Sequence, residues 1–500
     1  MTGGAAGMHA WPQPEYPRRS VEGEFRVAVV GGGLAGVAAA CVLAERGAQV
    51  VLREAAPVLG GRLAAWPVQV LGETQEMDRG FHAFFRHYGN LRALLRRIDP
   101  QLGFLQPLED YPILTPQGDL SFAGIPRNAL LALWPLVRRV GIGPLDLARV
   151  RVGHALEMLR WHPERTPARW DAVPARRWLE ELRFPPQARA RLLDVFAHSF
   201  FNPTAEMSAA ELLMLFHFYF FRNPEGLVFD VLRGPFGQCI WQPMTGYLQA
   251  QGVQVQCTAP VQTIAPDGDG WRLGDGAERF DAVVLATDVA QARTLLAALP
   301  QAQALPRAQA DWRDGLDALR PTRPFAVWRQ WLDRPVEARR APFSGTAGYG
   351  ILDNISVYER FHEPSRDYAR RHGGSVIELH GYGLHNTDPA RVRAELRAGL
   401  EAAWPETRAA QVRAEVFRID ADCPAFAPGD WHRRPGAETP FPGLVLAGDY
   451  VRMPFPCALM ERATASGMLA ANRLLAGRGV APEVLACVPP LGLLCTGSGT

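Results

Sequence analysis

The run Arg26-Val27-Ala28-Val29-Val30-Gly31-Gly32-Gly33-Leu34-Ala35-Gly36 decides how this 500-residue chain folds. Its first five residues read as a buried parallel strand, because a strand covered on both faces is continuously apolar. The strand breaks at three glycines, and Val37 to Arg46 follows as a helix of small and branched residues stopped by Gly47. Gln49-Val50-Val51-Leu52-Arg53-Glu54 is a second strand. A glycine triplet alone is a weak signal. Here Gly31-x-Gly33-x-x-Gly36 leaves a strand, opens a helix and precedes a strand ending on an acid, Glu54, 18 residues beyond Gly36.

That setting points to a dinucleotide cradle. Gly31 permits the tight turn, and Gly33 lets the backbone approach a pyrophosphate whose charge the helix N-terminus stabilises. Gly36 lets helix and strand pack closely, and Glu54 is placed to accept hydrogen bonds from an adenosine ribose. Gly60-Gly61-Arg62 then puts close backbone and an arginine beside the pyrophosphate. A nicotinamide dehydrogenase continues with more βα units, whereas this chain wanders into helices and returns to the cofactor only near its end. The returning segment is Leu444-Val445-Leu446-Ala447-Gly448-Asp449, a strand delivering a carboxylate at a glycine, with a helix over Met460 to Leu475 that holds Ser466-Gly467. Asp449 suits the ribityl hydroxyls of FAD, and the helix N-terminus suits the flavin edge where negative charge builds on reduction. Asp281 to Thr287 reads as a third strand at the cradle, and Val261 as a main-chain contact to the adenine.

Composition narrows the chemistry further. With 53 basic and 51 acidic side chains the net charge is +2, which gives no reason to seek nucleic acid. The chain holds no lysine, so a pyridoxal Schiff base, a P-loop lysine and a kinase-type lysine are all excluded. The seven cysteines are dispersed without a CxxC pair, as expected of reduced thiols in a cytosolic setting, and no residue set is assigned to a metal. No signal peptide is expected, and the most apolar stretch, Leu212 to Phe221, is too short to span a bilayer.

The organisation expected is a mobile arm over 1–24, FAD-binding segments at 25–95, 236–300 and 431–480, a mainly helical region at 96–235, a substrate domain at 301–430 and a tail at 481–500. Val253 to Cys257, Val261 to Ile264, Trp271 to Leu273 and Ala282 to Leu285 read as a small antiparallel meander between Gly/Asp turns.

These residues resemble the FAD-dependent carotenoid desaturases, within the wider amine-oxidase-like flavoproteins. The likeness rests on Gly31 to Gly36, Glu54, Gly60-Gly61-Arg62, Leu446-Ala447-Gly448-Asp449, Met460-Glu461-Arg462-Ala463 and Ser466-Gly467. The stretches Asp78 to Phe85, Trp328 to Pro335 and Leu352 to Val357 are similar to the branch of carotenoid 3,4-desaturases and isorenieratene-synthase-like β-carotene desaturase/methyltransferases. The resemblance implies an α/β fold in which a Rossmann-type FAD-binding domain is interleaved with a mixed helical and sheet substrate domain. It places Gly31, Gly33, Gly36, Glu54, Gly61, Arg62, Val261, Gly448, Asp449 and Met460 around FAD, and His82 beside the flavin ring as a proton shuttle. Glu461 reads as a cofactor ligand or a cap.

The activity implied is desaturation, of the 3,4 bond of an acyclic or hydroxylated carotenoid, with oxygen or a quinone as terminal acceptor. The alternatives are aromatisation of a β-ring with a methyl shift, a redox-neutral cis–trans isomerase, and an amine oxidase, which the missing lysine disfavours. Phe196 to Phe201 and Leu212 to Phe221 supply aromatic lining for a tunnel. A lipophilic substrate comes from a bilayer, so a cytoplasmic protein peripheral on the membrane is expected, with Pro126 to Val140 as an interfacial helix carrying Trp134 and flanking arginines.

Overall fold

The computed structural model describes residues 7–299 and 310–495, apart from 109, 122, 123, 125–130, 132–134, 136, 137, 140–142, 224, 226, 227, 275 and 277. Arg26–Val30 lies inside a five-stranded sheet whose order is Gln254–Gln256, Gln49–Arg53, Arg26–Val30, Ala282–Leu285, Leu444–Leu446. Every pairing in it is parallel. Val27, Val29, Val283 and Leu446 are all fully buried, as strands covered on both faces must be.

The helix Leu34–Glu45 is built of Gly, Ala, Val and Leu apart from Cys41 and the terminal Glu45, and is buried along almost its whole length. Its thinness lets the C-terminal helix Leu459–Ala476 press directly on it. A Cβ on Gly467 would stand 2.0 Å from the Ala35 carbonyl oxygen, and one on Gly36 would stand 1.8 Å from the Gly31 carbonyl oxygen. Glycine is demanded at both positions by backbone-to-backbone contact.

A second sheet runs in the order Val412–Asp420, Phe325–Leu332, Ser375–Gly381, Asn354–Val357, Phe343–Thr346, Ile113–Leu114. It is antiparallel except where Ile113–Leu114, delivered by the middle of the chain, joins Phe343–Thr346 in parallel. Phe325–Leu332 is buried at every residue, so this central strand carries its charge, Arg329, into the interior. The helix Ala209–Phe216 begins on Ser208, whose hydroxyl accepts from the Ala210 N–H, and continues into a wider turn over His217–Phe221.

Three expectations are corrected. Residues 7–24 do not form a free arm: His9–Ala10 pairs with Ala486–Cys487, the Trp11 N–H donates to the Leu485 carbonyl, and the Trp11 ring lies 5.3 Å from Phe455. Arm and tail order each other, a tertiary partnership that small and Pro-rich residues do not advertise. The meander is narrower than its turns suggest. Ile264–Asp267, Gly270–Leu273 and Arg279–Phe280 form it, while Gln254–Gln256 and Ala282–Leu285 belong to the parallel sheet. Finally, Leu212 to Phe218 is core rather than tunnel wall. The interfacial helix expected over Pro126 to Val140 lies largely outside the described residues.

The interior also holds histidines that resist charge. Burial pushes His87, His217 and His362 down to about 3. Neither ring nitrogen of His87 has a hydrogen-bond partner among the described residues. A histidine depressed in the folded state contributes stability that is complete above the unfolded pKa of 6.5 and is lost as pH falls toward the folded value. Each such group adds about 1.4 kcal/mol per pH unit to that loss. Denaturation measured between pH 6.5 and pH 4 should therefore show a steep fall in stability, and His87→Leu should make the slope shallower by about one proton; an unchanged slope would contradict the burial of a neutral imidazole there.

Candidate functional site

The parallel strands end at one edge, and the glycine cradle sits on it. Gly31, at φ +107°, donates its N–H to the Arg53 carbonyl at 2.8 Å, and a Cβ there would meet the Ala286 oxygen at 2.5 Å. Gly33 differs. Its φ is −76°, and a Cβ would find no protein atom closer than Gly61 Cα at 3.8 Å. Protein packing therefore explains Gly31 and Gly36 but not Gly33, whose open side faces a cavity. No side chain caps the helix at Gly33, so its first N–H groups are left for an anion.

Around this point the structure gathers residues far apart in the chain. Glu54 accepts from the Gly32 N–H through one carboxylate oxygen and from the Ala56 N–H through the other, both at 2.7 Å, which fixes it at the rim with lone pairs to spare. The Gly60 N–H donates to the Gly32 carbonyl at 2.9 Å, pinning the Gly60-Gly61 loop to the cradle. Arg62 reaches Asp449 at 2.5 Å, and the Gly448 N–H donates to the Ser466 hydroxyl at 2.8 Å. Gly31, Gly33, Glu54, Gly61, Arg62, Val261, Gly448, Asp449, Met460 and His82 all line one cavity of about 690 Å³. Gly36 packs behind it.

The cavity continues away from the cradle into a chamber walled by Phe81, Phe85, Tyr111, Phe196, Phe200, Phe201, Tyr219, Phe220, Phe229 and Phe343. Phe81 stacks on Phe343 at 4.5 Å, Tyr111 lies 5.0 Å from Phe229, and Phe196 meets Phe220 edge-on at 4.9 Å. Of the two aromatic runs singled out in the sequence, Phe196 to Phe201 and the end of Leu212 to Phe221 contribute walls. His82 stands between cradle and chamber. Its Nδ1 lies 2.6 Å from the Gly80 carbonyl and its ring faces the edge of Phe236. Burial pushes the imidazole down to about 4.

Glu461 is a cap, not a cofactor ligand. Its carboxylate accepts from the Asn90 and Leu91 N–H groups, both at 2.9 Å, and from Asn90 Nδ2 at 2.6 Å, holding the start of helix Gly89–Leu95. Sequence reading also misses polar groups on the chamber wall: Arg79 paired with Asp422 at 2.5 Å, and Asn354, His380 and Tyr382. Glu378 and His380 alternate along the strand Ser375–Gly381, which puts them on one face, and Tyr382 follows its end at the same spacing. That spacing is the signal that was available.

Comparison with known proteins agrees with this geometry. The sequence model for flavin containing amine oxidoreductases matches residues 34–475. A carotenoid phi-ring synthase of Streptomyces griseus is 44% identical over 488 residues, covering 96% of this chain and 93% of its own. One from Chlorobaculum tepidum is 28% identical over 591 residues, covering 94% and 91%. A solved putrescine oxidase shares the fold with a TM-score of 0.65 at 18% identity, over 91% of this chain and 99% of that one. The cofactor of this family is FAD.

Gly33→Val puts its Cβ in ordinary contact with the Gly61 Cα at 3.8 Å and collides with no backbone there, so the variant should fold with an unchanged circular dichroism spectrum yet bind FAD at least about tenfold more weakly. Flavin absorbance of the purified protein is the measurement, and a fully yellow variant would refute the assignment. Gly36→Val should instead fail to fold, because its side chain collides with the Gly31 carbonyl.

Proposed function

The chain belongs to the flavin-containing amine oxidoreductases, and within them to the carotenoid-desaturase-like group, and on that footing we propose that it converts a carotenoid β-ring into an aromatic end ring, moving one methyl group. It is an FAD-dependent oxidoreductase. The observation that carries the aromatising reading is the likeness to the Streptomyces griseus phi-ring synthase along nearly the whole of both chains. Sequence motifs alone rank 3,4-desaturation first; that relative favours the alternative with a ring product.

The cavity suits such a reaction. Turning a cyclohexene ring into an arene removes four hydrogens, as two hydrides and two protons, while methyl migration leaves the composition unchanged. Bound FAD would supply the hydride-accepting chemistry, once for each of the two hydrides, with oxygen or a quinone restoring it in between. The chain's own part is to seat the ring where the cradle meets the chamber and to exclude water with phenyl walls. The rings that line the chamber, Phe81, Phe229 and Phe343 among them, also bring aromatic quadrupoles to a substrate that carries positive charge. The missing lysine sets the chain apart from amine oxidation.

Incubation of the holoenzyme with β-carotene in the absence of oxygen, first alone and then with a quinone added as electron acceptor, tests this. Bleaching of the flavin and a product lighter by four hydrogens per ring, with arene proton resonances and a relocated methyl, is the expected result. A longer conjugated chain without an arene would restore 3,4-desaturation, and an unchanged mass would point to isomerisation. Among the described residues no helix is long and apolar enough to cross a membrane. A substrate this lipophilic comes from a bilayer, so the proposal includes peripheral attachment: the purified protein should float with liposomes, and sedimentation away from them would remove that part.

A further inference from the structure

Three polar side chains on the chamber wall and a buried carboxylate behind them form a hydrogen-bonded chain. Glu378 and His380 lie on the strand Ser375–Gly381, Tyr382 follows directly, and Asn354 lies on the neighbouring strand Asn354–Val357. Glu378 Oε1 is 2.7 Å from His380 Nε2, and His380 Nδ1 is 2.8 Å from the Tyr382 hydroxyl. Asn354 Nδ2 donates to that same hydroxyl at 2.8 Å. His380, Tyr382 and Asn354 line the cavity, whereas Glu378 is fully buried.

The chemistry of the partners sets the direction of each bond. Glu378 also accepts from the Phe81 N–H at 2.7 Å and from Arg329 at 2.9 Å. Burial opposes its charge, but Arg329 and His380 outweigh burial and hold the carboxyl below its usual range. An ionised carboxylate only accepts, so His380 Nε2 carries the proton and Nδ1 offers a lone pair. The Tyr382 phenol, kept protonated by burial, donates to that lone pair. Its oxygen accepts from Asn354, and the remaining lone pair is available to the chamber. Carboxylate, imidazole and hydroxyl thus stand in the order that lets a hydroxyl give up its proton as it receives another.

Gly80 makes room for this arrangement. It sits at φ +105°, and a Cβ there would lie 2.9 Å from His380 Nε2. The Gly80-Phe81-His82 segment serves the relay in two ways, through the missing side chain of Gly80 and the N–H of Phe81. Among the described residues, the hydrogen bond of His82 runs to the Gly80 carbonyl rather than to a carboxylate.

We propose that Tyr382 is the catalytic proton acceptor of the ring reaction, with His380 and Glu378 as positioning residues that carry the proton away. This rests on the aromatising reading above. Once oxidation has left a cation on the ring, a C–H bond beside it breaks and its electron pair becomes the new ring double bond. The proton goes to the Tyr382 oxygen as the phenol's own proton passes to His380 Nδ1, leaving an imidazolium paired with Glu378. Loss of that proton to solvent resets the chain. A weak acceptor suffices, because a C–H next to such a cation is acidic.

The test uses FAD-loaded enzyme and β-carotene with a quinone supplied as electron acceptor, because each arene ring needs two rounds of flavin reduction. Tyr382→Phe should keep its FAD spectrum and fold while forming arene about a hundredfold or more slowly. Wild type should slow in D2O, and the residual rate of the variant should not. His380→Gln should behave alike, which covers the case of one variant failing to fold. Tyr382→Phe and His380→Gln within twofold of wild type, or a large loss confined to His82→Gln, would overturn the relay while leaving the aromatising reading intact. Wild type that converts carotenoid only to a non-aromatic product would overturn that reading, and the relay with it.

Discussion

The site exists because two helices from opposite ends of the chain touch through their backbones. Leu34–Glu45 and Leu459–Ala476 meet where Gly467 faces the Ala35 carbonyl, and no side chain fits between them. The contact brings both N-termini to the same edge of the parallel sheet, so two positive helix ends look into one cavity. Gly33 and Gly61 open one part of it, and Gly448-Asp449 closes another. Between the two helices the chain makes an excursion of some four hundred residues, and the excursion supplies the chamber.

Charge inside this molecule is held, not avoided. Arg329 pairs with Asp78 at 2.9 Å and with Glu378 at 2.7 Å, with its guanidinium over the Tyr358 ring. Glu211 lies between Arg434 and Arg462. Such buried sets add little net stability, since desolvation offsets most of the attraction, but removing one partner costs about 3–5 kcal/mol. Their effect is geometric. Arg329 and Glu378 orient the wall of the chamber beside Gly80, while Arg462 ties the C-terminal helix to Ala209–Phe216. A dry cavity with fixed polar groups on one wall suits chemistry in which charge develops on an apolar substrate.

Much of the cofactor half was legible in the residue order. The strand Arg26–Val30, its glycine turn, the second strand and the returning Leu444–Leu446 appear where their patterns put them, because burial on both faces and the need for bare backbone leave local marks. The substrate half was less legible. Aromatic runs show that a region is apolar but not which rings face a void: Leu212 to Phe218 turned inward, while Tyr219 and Phe220 line the chamber. Glu461 sits within a motif otherwise devoted to the cofactor, yet it caps a helix at Asn90, and nothing near it in the sequence names that partner.

The amino-acid order alone determined that a glycine turn would join an early strand to its helix, that lysine chemistry is excluded, and that the chain would return beside that turn at Gly448-Asp449. Those features are short-range: glycine spacing, apolar runs and composition act within a turn or a strand. Folding decided everything joined across long separations, including Arg62 against Asp449, the arm against the tail, and His380 tucked against Gly80 with Glu378 behind it. Such pairings are written in three-dimensional packing. A side chain's partner is chosen by which strands lie side by side, and residues three hundred positions apart carry no local record of that choice.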